Sequence, residues 1–245
     1  MVQLTLIISL VVFSAFWPQP GQGDQIAQAE RLFAGRDDIG KLERAVSLLE
    51  DLAARQPKNY EVLWRLSKYK YYLNDREKDS ARKKKLLEAG VDAGKKALEV
   101  DASRPEGHFW LGANYGDLAE LKGAFSSLSL IKVIRKEFEA ALNADAAYEN
   151  GAAYLALGEM YMSLPGILGG SDRRGLELLE KGVQVAPANS ELKLTLAEKY
   201  AKNGKKDEAR RLLDSVVRDP DPARTARELQ EIRERAQALL EGAAK

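Results

Sequence analysis

The chain contains no cysteine and a single histidine, His108. That removes disulfides, thiolate nucleophiles and the Cys/His cages of structural zinc, so no metal site is expected unless carboxylates alone provide it. It also leaves no cysteine for lipid attachment behind a leader, and a lipoprotein is not expected. No sign of charge dominates, since 38 Lys and Arg stand against 37 Asp and Glu. Without a basic surplus there is no global field to draw nucleic acid or anionic lipid, and no nucleic-acid partner is expected. Aromatic residues make up only 7% of the chain and are spread along it, whereas hydrophobic residues as a whole make up 45%. Such a composition suits helices packed through small side chains.

One long apolar run is present, Leu4 to Trp17 (LTLIISLVVFSAFW), followed by the breaker-rich Pro18-Gln19-Pro20-Gly21-Gln22-Gly23. The run is shorter than the roughly 20 residues of a membrane span and fits the apolar region of a secretory signal. Gly21 and Gly23 supply the small residues of a cleavage site, so residues 1–23 are read as a signal peptide and the mature chain begins near Asp24. No Lys or Arg precedes the run, and an uncleaved N-terminal anchor is the other reading. The expected location is the periplasm or the outside of a bacterial cell.

The rest of the chain repeats itself. Lys96-Ala-Leu-Glu-Val-Asp-Ala102, Ala140-Ala-Leu-Asn-Ala-Asp-Ala146 and Lys181-Gly-Val-Gln-Val-Ala-Pro187 align without gaps, and weaker copies close at Pro57 and Pro220. The closing positions 57, 102, 146, 187 and 220 are separated by 45, 44, 41 and 33 residues. The last step matches a known helix-pair repeat of about 34 residues. Tyr154, Leu157, Gly158 and Tyr161 occupy the positions where its first helix carries an aromatic, Leu, Gly and Tyr. Gly175, Leu179, Gly182 and Pro187 follow in the second helix. The chain therefore resembles the tetratricopeptide repeat, in which small residues let paired helices approach closely while Leu and Tyr fill the grooves.

The expected fold is all-α, a right-handed tetratricopeptide-like solenoid without strands. It has about five helix pairs (24–57, 58–102, 103–146, 147–187 and 188–220) and a polar capping helix over 222–242. The longer steps place extra residues at 74–80, 123–127 and 164–172, between the first and second helices of three pairs, so that they project from one edge.

Three segments are more particular: His108 to Gly123, Ile131 to Glu137, and Leu164 to Asp172. They resemble the tetratricopeptide component associated with TRAP-type periplasmic uptake systems and, more distantly, the regulator of microtubule dynamics family. The first resemblance implies a periplasmic protein that contacts a substrate-binding protein or offers a cavity to a hydrophobic ligand. The second implies a related fold and not a shared partner.

In a tetratricopeptide array the first helices line the concave face. Applied here, the repeat's inward-facing positions select Trp64, Lys68, Tyr71, Phe109, Ala113, Leu155, Glu159, Met162 and Glu198. Aromatic and methionine side chains along a groove suit an apolar helix or a small hydrophobic molecule. Burial between repeats is the competing reading for Trp64, Phe109 and Leu155.

No other pattern reads as chemistry. Gly169-Gly-Ser-Asp172 lacks the Lys-Ser/Thr ending of a nucleotide loop, and Ser171 or Asp172 is expected to cap a helix. The charged run Arg76 to Lys85 reads as a solvated helix face. His108 stands in a packing position, and scattered carboxylate pairs do not identify a hydrolase. The expectation is a protein without cofactor that is not an enzyme. It would bind another exported protein or peptide through its concave face; the alternative is a carrier of a small apolar or organic ligand in solute uptake.

Overall fold

The computed structural model describes residues 22–123 and 128–243. The apolar run lies outside them, as does most of the 123–127 insertion. Among the described residues there are eleven α-helices, one 3-10 turn and no strand. The helices are α1 (Gln22–Ala34), α2 (Ile39–Arg55), α3 (Tyr60–Arg76), α4 (Ser80–Val100), α5 (Pro105–Lys122) and α6 (Leu128–Ala144). They continue with α7 (Tyr148–Ser163), α8 (Asp172–Val185), α9 (Ser190–Lys202), α10 (Lys206–Arg218) and α11 (Ala226–Ala243), the 3-10 turn Gly166–Leu168 falling between α7 and α8.

Short polar side chains start five of the helices. Asp38, Asn59, Asp79, Ser171 and Asn189 each accept a hydrogen bond from a first-turn N–H, replacing a partner the helix itself cannot supply. Successive helices pack as antiparallel neighbours, and first helices also touch the next first helix, α3 on α5, α5 on α7 and α7 on α9. The core is therefore a ribbon running the length of the array. It passes through Leu42, Leu49, Leu63, Leu87, Leu157, Leu179, Leu192 and Val216, all nearly solvent-free.

The α7–α8 crossing is close. A Cβ on Gly158 would lie 2.8 Å from Leu179 Cδ2, and one on Gly175 would lie 2.7 Å from the carbonyl oxygen of Gly158. Glycine at both positions is what permits the contact.

One boundary differs from the periodicity, and one helix start is distorted. The capping helix begins at residue 226 because Asp221 accepts from Ser190 N (2.9 Å) and Oγ (2.7 Å) at the head of α9, which holds the preceding segment in a turn. At the head of α7, Glu149 (φ 48°), Asn150 (φ 55°) and Gly151 (φ 72°) are all left-handed. This run is costly for the two non-glycine residues, and partners from outside the pair over-determine it. Asn189 Nδ2 donates to Asn150 O at 2.7 Å, and Lys68 binds Glu149.

Candidate functional site

The inner face is built by α3, α5, α7 and α9, and the structure divides the nine predicted residues among several environments. Phe109 (6% exposed) and Ala113 (8%) are core residues. Phe109 packs edge-on against Trp110, Phe138 and Tyr148. Met162 is partly buried and turned toward α8, its Cγ 2.4 Å from where a Gly175 Cβ would stand. Phe109 and Ala113 are therefore packing residues and not groove anchors, while Met162 is shared between the α8 contact and the surface. The array winds tightly enough for first helices to touch one another, so their inward positions are partly spent on that contact.

Lys68 is likewise engaged. Its Nζ meets Glu149 Oε1 at 2.5 Å and lies 5.0 Å from the Trp110 ring and 5.3 Å from that of Phe33. The pair spans from α3 to the strained head of α7 and is mostly shielded from water. Trp64 is half-buried, its Nε1 donating to Glu61 Oε2 at 3.0 Å with Arg65 stacked 4.2 Å over its ring. Leu155 is also half-buried.

Glu159 is open to solvent, yet the groove walls around it, followed by the charges of Glu191 and Glu198, push its carboxyl above the ordinary value. Glu198 lies 3.6 Å from Arg235 of α11. Tyr71 faces a cavity, and loss of solvent raises its phenol's pKa.

Aromatics that are scattered in sequence converge. Phe33 stacks on Tyr69 at 4.1 Å, Tyr71 and Tyr72 both meet Trp110, and Trp110 Nε1 donates to Tyr148 Oη at 2.8 Å. His108 is held between Glu137 Oε2 (2.6 Å) and Ala102 O (3.0 Å), tying α5 to α6. Ser171 caps α8 as its position suggests.

Sequence reasoning missed the closure of the array. Arg36, in the α1–α2 turn, makes a two-pronged contact with Glu228 of α11, at 2.9 Å through Nε and 2.7 Å through Nη2. Asp37 accepts from Thr225 Oγ1 (2.7 Å) and Arg227 Nε (3.3 Å). The Arg36 guanidinium also lies over Phe33 and Tyr72. This clasp joins the two ends of the array and forms one wall of a partly open cavity of about 300 Å³ between α2, α3, α9 and α11. No local pattern announces it, because the partners are 192 residues apart.

Among the described residues no group of three or more His, Asp or Glu is placed to hold a metal, and no helix is long and apolar enough to cross a membrane.

Paired helices stacked around a concave face, closed by a capping helix, define a tetratricopeptide-repeat α-solenoid. A tetratricopeptide family model matches residues 173–231. The model of regulator of microtubule dynamics protein 1-3 matches residues 25–159, more than half of the chain, and the chain belongs to that family. Regulator of microtubule dynamics protein 1 of Mus musculus is 28% identical over 118 residues, which are 48% of this chain and 37% of that protein. The match thus spans little more than a third of that relative's length.

Among solved structures, a tetratricopeptide protein of Thermus thermophilus, TTC0263, superposes with a TM-score of 0.66 at 18% identity, covering 90% of this chain and 99% of that one. MamA from Desulfovibrio magneticus superposes at 0.51 and 17% identity, covering 89% and 99%. These likenesses establish the fold. The resemblance to the uptake-associated component rests on the sequence segments alone.

Proposed function

We propose that this chain is an exported, non-catalytic scaffold that holds a protein or peptide partner across its inner face and the adjoining insertion edge. The observation that carries the reading is the set of inner-face side chains the fold leaves exposed or half-exposed, Glu159 in the first class and Trp64 and Leu155 in the second, on helices packed into the array. Rigid first helices present such groups with little ordering cost on binding. At the edge, Ile167 is 93% exposed on a turn fixed by Gly170 N→Pro165 O (3.1 Å) and Ser171 N→Tyr161 O (2.7 Å). The insertion thus offers an apolar contact without having to be ordered.

The test is capture from a periplasmic extract by the mature chain and by its Trp64→Ala, Leu155→Asp and Ile167→Asp variants. Loss of the captured protein with retained helicity supports the reading; unchanged capture by all three refutes it. Export is tested by mass analysis of the protein from its native cell. A chain beginning near Asp24 is expected, and intact Met1 in the cytosol would contradict it.

A second reading, an accessory carrying a small organic ligand, is favoured by one observation, the partly open cavity beneath the clasp. Its lining is largely charged, which turns the expectation of an apolar ligand toward an anionic one.

A further inference from the structure

Five arginines line the cavity between α2, α3, α9 and α11. Three have carboxylate partners at close range: Arg36 with Glu228 (2.7 Å), Arg227 with Glu231 (2.7 Å) and Arg235 with Glu191 (2.8 Å). The other two do not. Arg76 donates one long hydrogen bond, 3.4 Å, to Asp37 O, and has no carboxylate within 4.0 Å among the described residues. Arg224 approaches Asp221 only at 4.0 Å, and that carboxylate is already committed to the Ser190 N–H and hydroxyl and to Ala223 N.

On the acidic side, Asp75 is the one lining carboxylate without an ion-pair partner among the described residues. The rest of the wall is apolar or aromatic, from Leu42, Ile232 and the rings of Tyr71 and Tyr72.

Two guanidinium groups facing a partly enclosed space without full pairing, beside an apolar wall, specify both ends of a ligand. A guanidinium presents parallel N–H donors that match the planar oxygens of a carboxylate. The volume, about 300 Å³, is at the small end of organic-ligand sites and larger than a bare inorganic anion needs. Asp75 and the paired glutamates nearby disfavour a concentrated double charge, which selects a carboxylate over a phosphate dianion.

We propose that this cavity binds a small carboxylate with an aromatic or compact apolar body, its charge held by Arg76 and Arg224 and its body laid against Tyr71 and Tyr72. The clasp residues Arg36 and Glu228 form part of the site's wall, so such a ligand favours the closed array by mass action. The assignment does not depend on which protein docks on the inner face.

The probe is phenylacetate, titrated calorimetrically into the full chain, with phenylacetamide, acetate and inorganic phosphate as the comparison arms. Saturable binding of phenylacetate is expected, with each comparison compound weaker by about tenfold or more. Arg76→Gln and Arg224→Gln should each weaken binding by a similar factor. Arg76→Lys, which keeps the charge and loses the planar fork, should fall between the parent and Arg76→Gln.

Absence of phenylacetate binding at millimolar concentration overturns the proposal. So does equal binding of phenylacetamide or phosphate, or parental affinity in both glutamine variants. Should a variant fail to fold, the unmodified protein decides by NMR: phenylacetate must shift the arginine Nε–H signals of Arg76 and Arg224 and leave that of exposed Arg173 in place. Uniform or absent shifts refute the assignment.

Discussion

Replacing Gly175 by alanine tests the close crossing of α7 and α8. The new Cβ would stand 2.4 Å from Met162 Cγ and 2.7 Å from the carbonyl oxygen of Gly158. The methionine can turn away, but the carbonyl belongs to a helix backbone, so the two helices must separate by about half an ångström to restore ordinary contact. Separation loosens the packing of Leu179 and Tyr154, both buried at this interface. Overpacking against a helix carbonyl falls in the upper part of the usual range, about 2–3 kcal/mol, offset by about 1 kcal/mol from replacing glycine with alanine inside a helix.

The net expectation for Gly175→Ala is a loss of about 1–2 kcal/mol, or roughly 2–8 °C in Tm for a chain of this size. Gly116→Ala is the control, since its Cβ meets nothing within 4 Å. There the propensity term acts alone, and a gain of about 1 kcal/mol is expected. Urea and thermal unfolding followed by circular dichroism measure both changes, and hydrogen exchange shows whether the loss is centred on α7 and α8, as nearest-neighbour coupling in a solenoid requires. Gly175→Ala as stable as the parent, or Gly116→Ala equally destabilised, would refute the reasoning.

Glu228→Gln keeps the shape of the clasp and removes its charge, leaving Arg36 underpaired. A loss of about 1–3 kcal/mol is expected, with a larger radius of gyration in solution scattering and faster exchange in α1 and α11; unchanged scattering and exchange would contradict the closure. Burial, then the neighbouring carboxylates Glu120 and Asp75, pushes Asp117 from its ordinary 3.8 up to about 6. The folded state therefore holds this proton more tightly than the unfolded one. The resulting penalty is absent below about pH 4, grows as pH rises and is complete above about pH 6. Asp117→Asn should stabilise the protein by about 1–2 kcal/mol at pH 7 and leave it unchanged at pH 4, as read from urea titrations at the two pH values. Phe109→Ala, a core truncation, should cost about 3–5 kcal/mol of stability. Trp64→Ala should instead weaken partner capture by about 1–3 kcal/mol, and a reversal of these two effects would restore Phe109 to the groove.

What the sequence determined is local. The apolar spacing, the capping residues Asn59, Ser171 and Asn189, and the small residues Gly158, Gly175 and Gly182 specify helices and the way each packs on its neighbour, because those interactions act within one pair. The same information does not say which inward-facing side chains stay accessible. Glu159 does, and Trp64, Leu155 and Met162 do in part, whereas Phe109 and Ala113 are taken up by contacts between helices, Tyr71 by the rings of Tyr72 and Trp110, and Lys68 by an ion pair with Glu149, 81 residues away.

The left-handed run at 149–151 and the Arg36–Glu228 clasp belong to tertiary structure for a related reason. Each helix pair adds a small rotation to the one before it, and only the accumulated winding decides whether the two ends meet. The cavity, its two underpaired arginines and the clasp above it exist because they do.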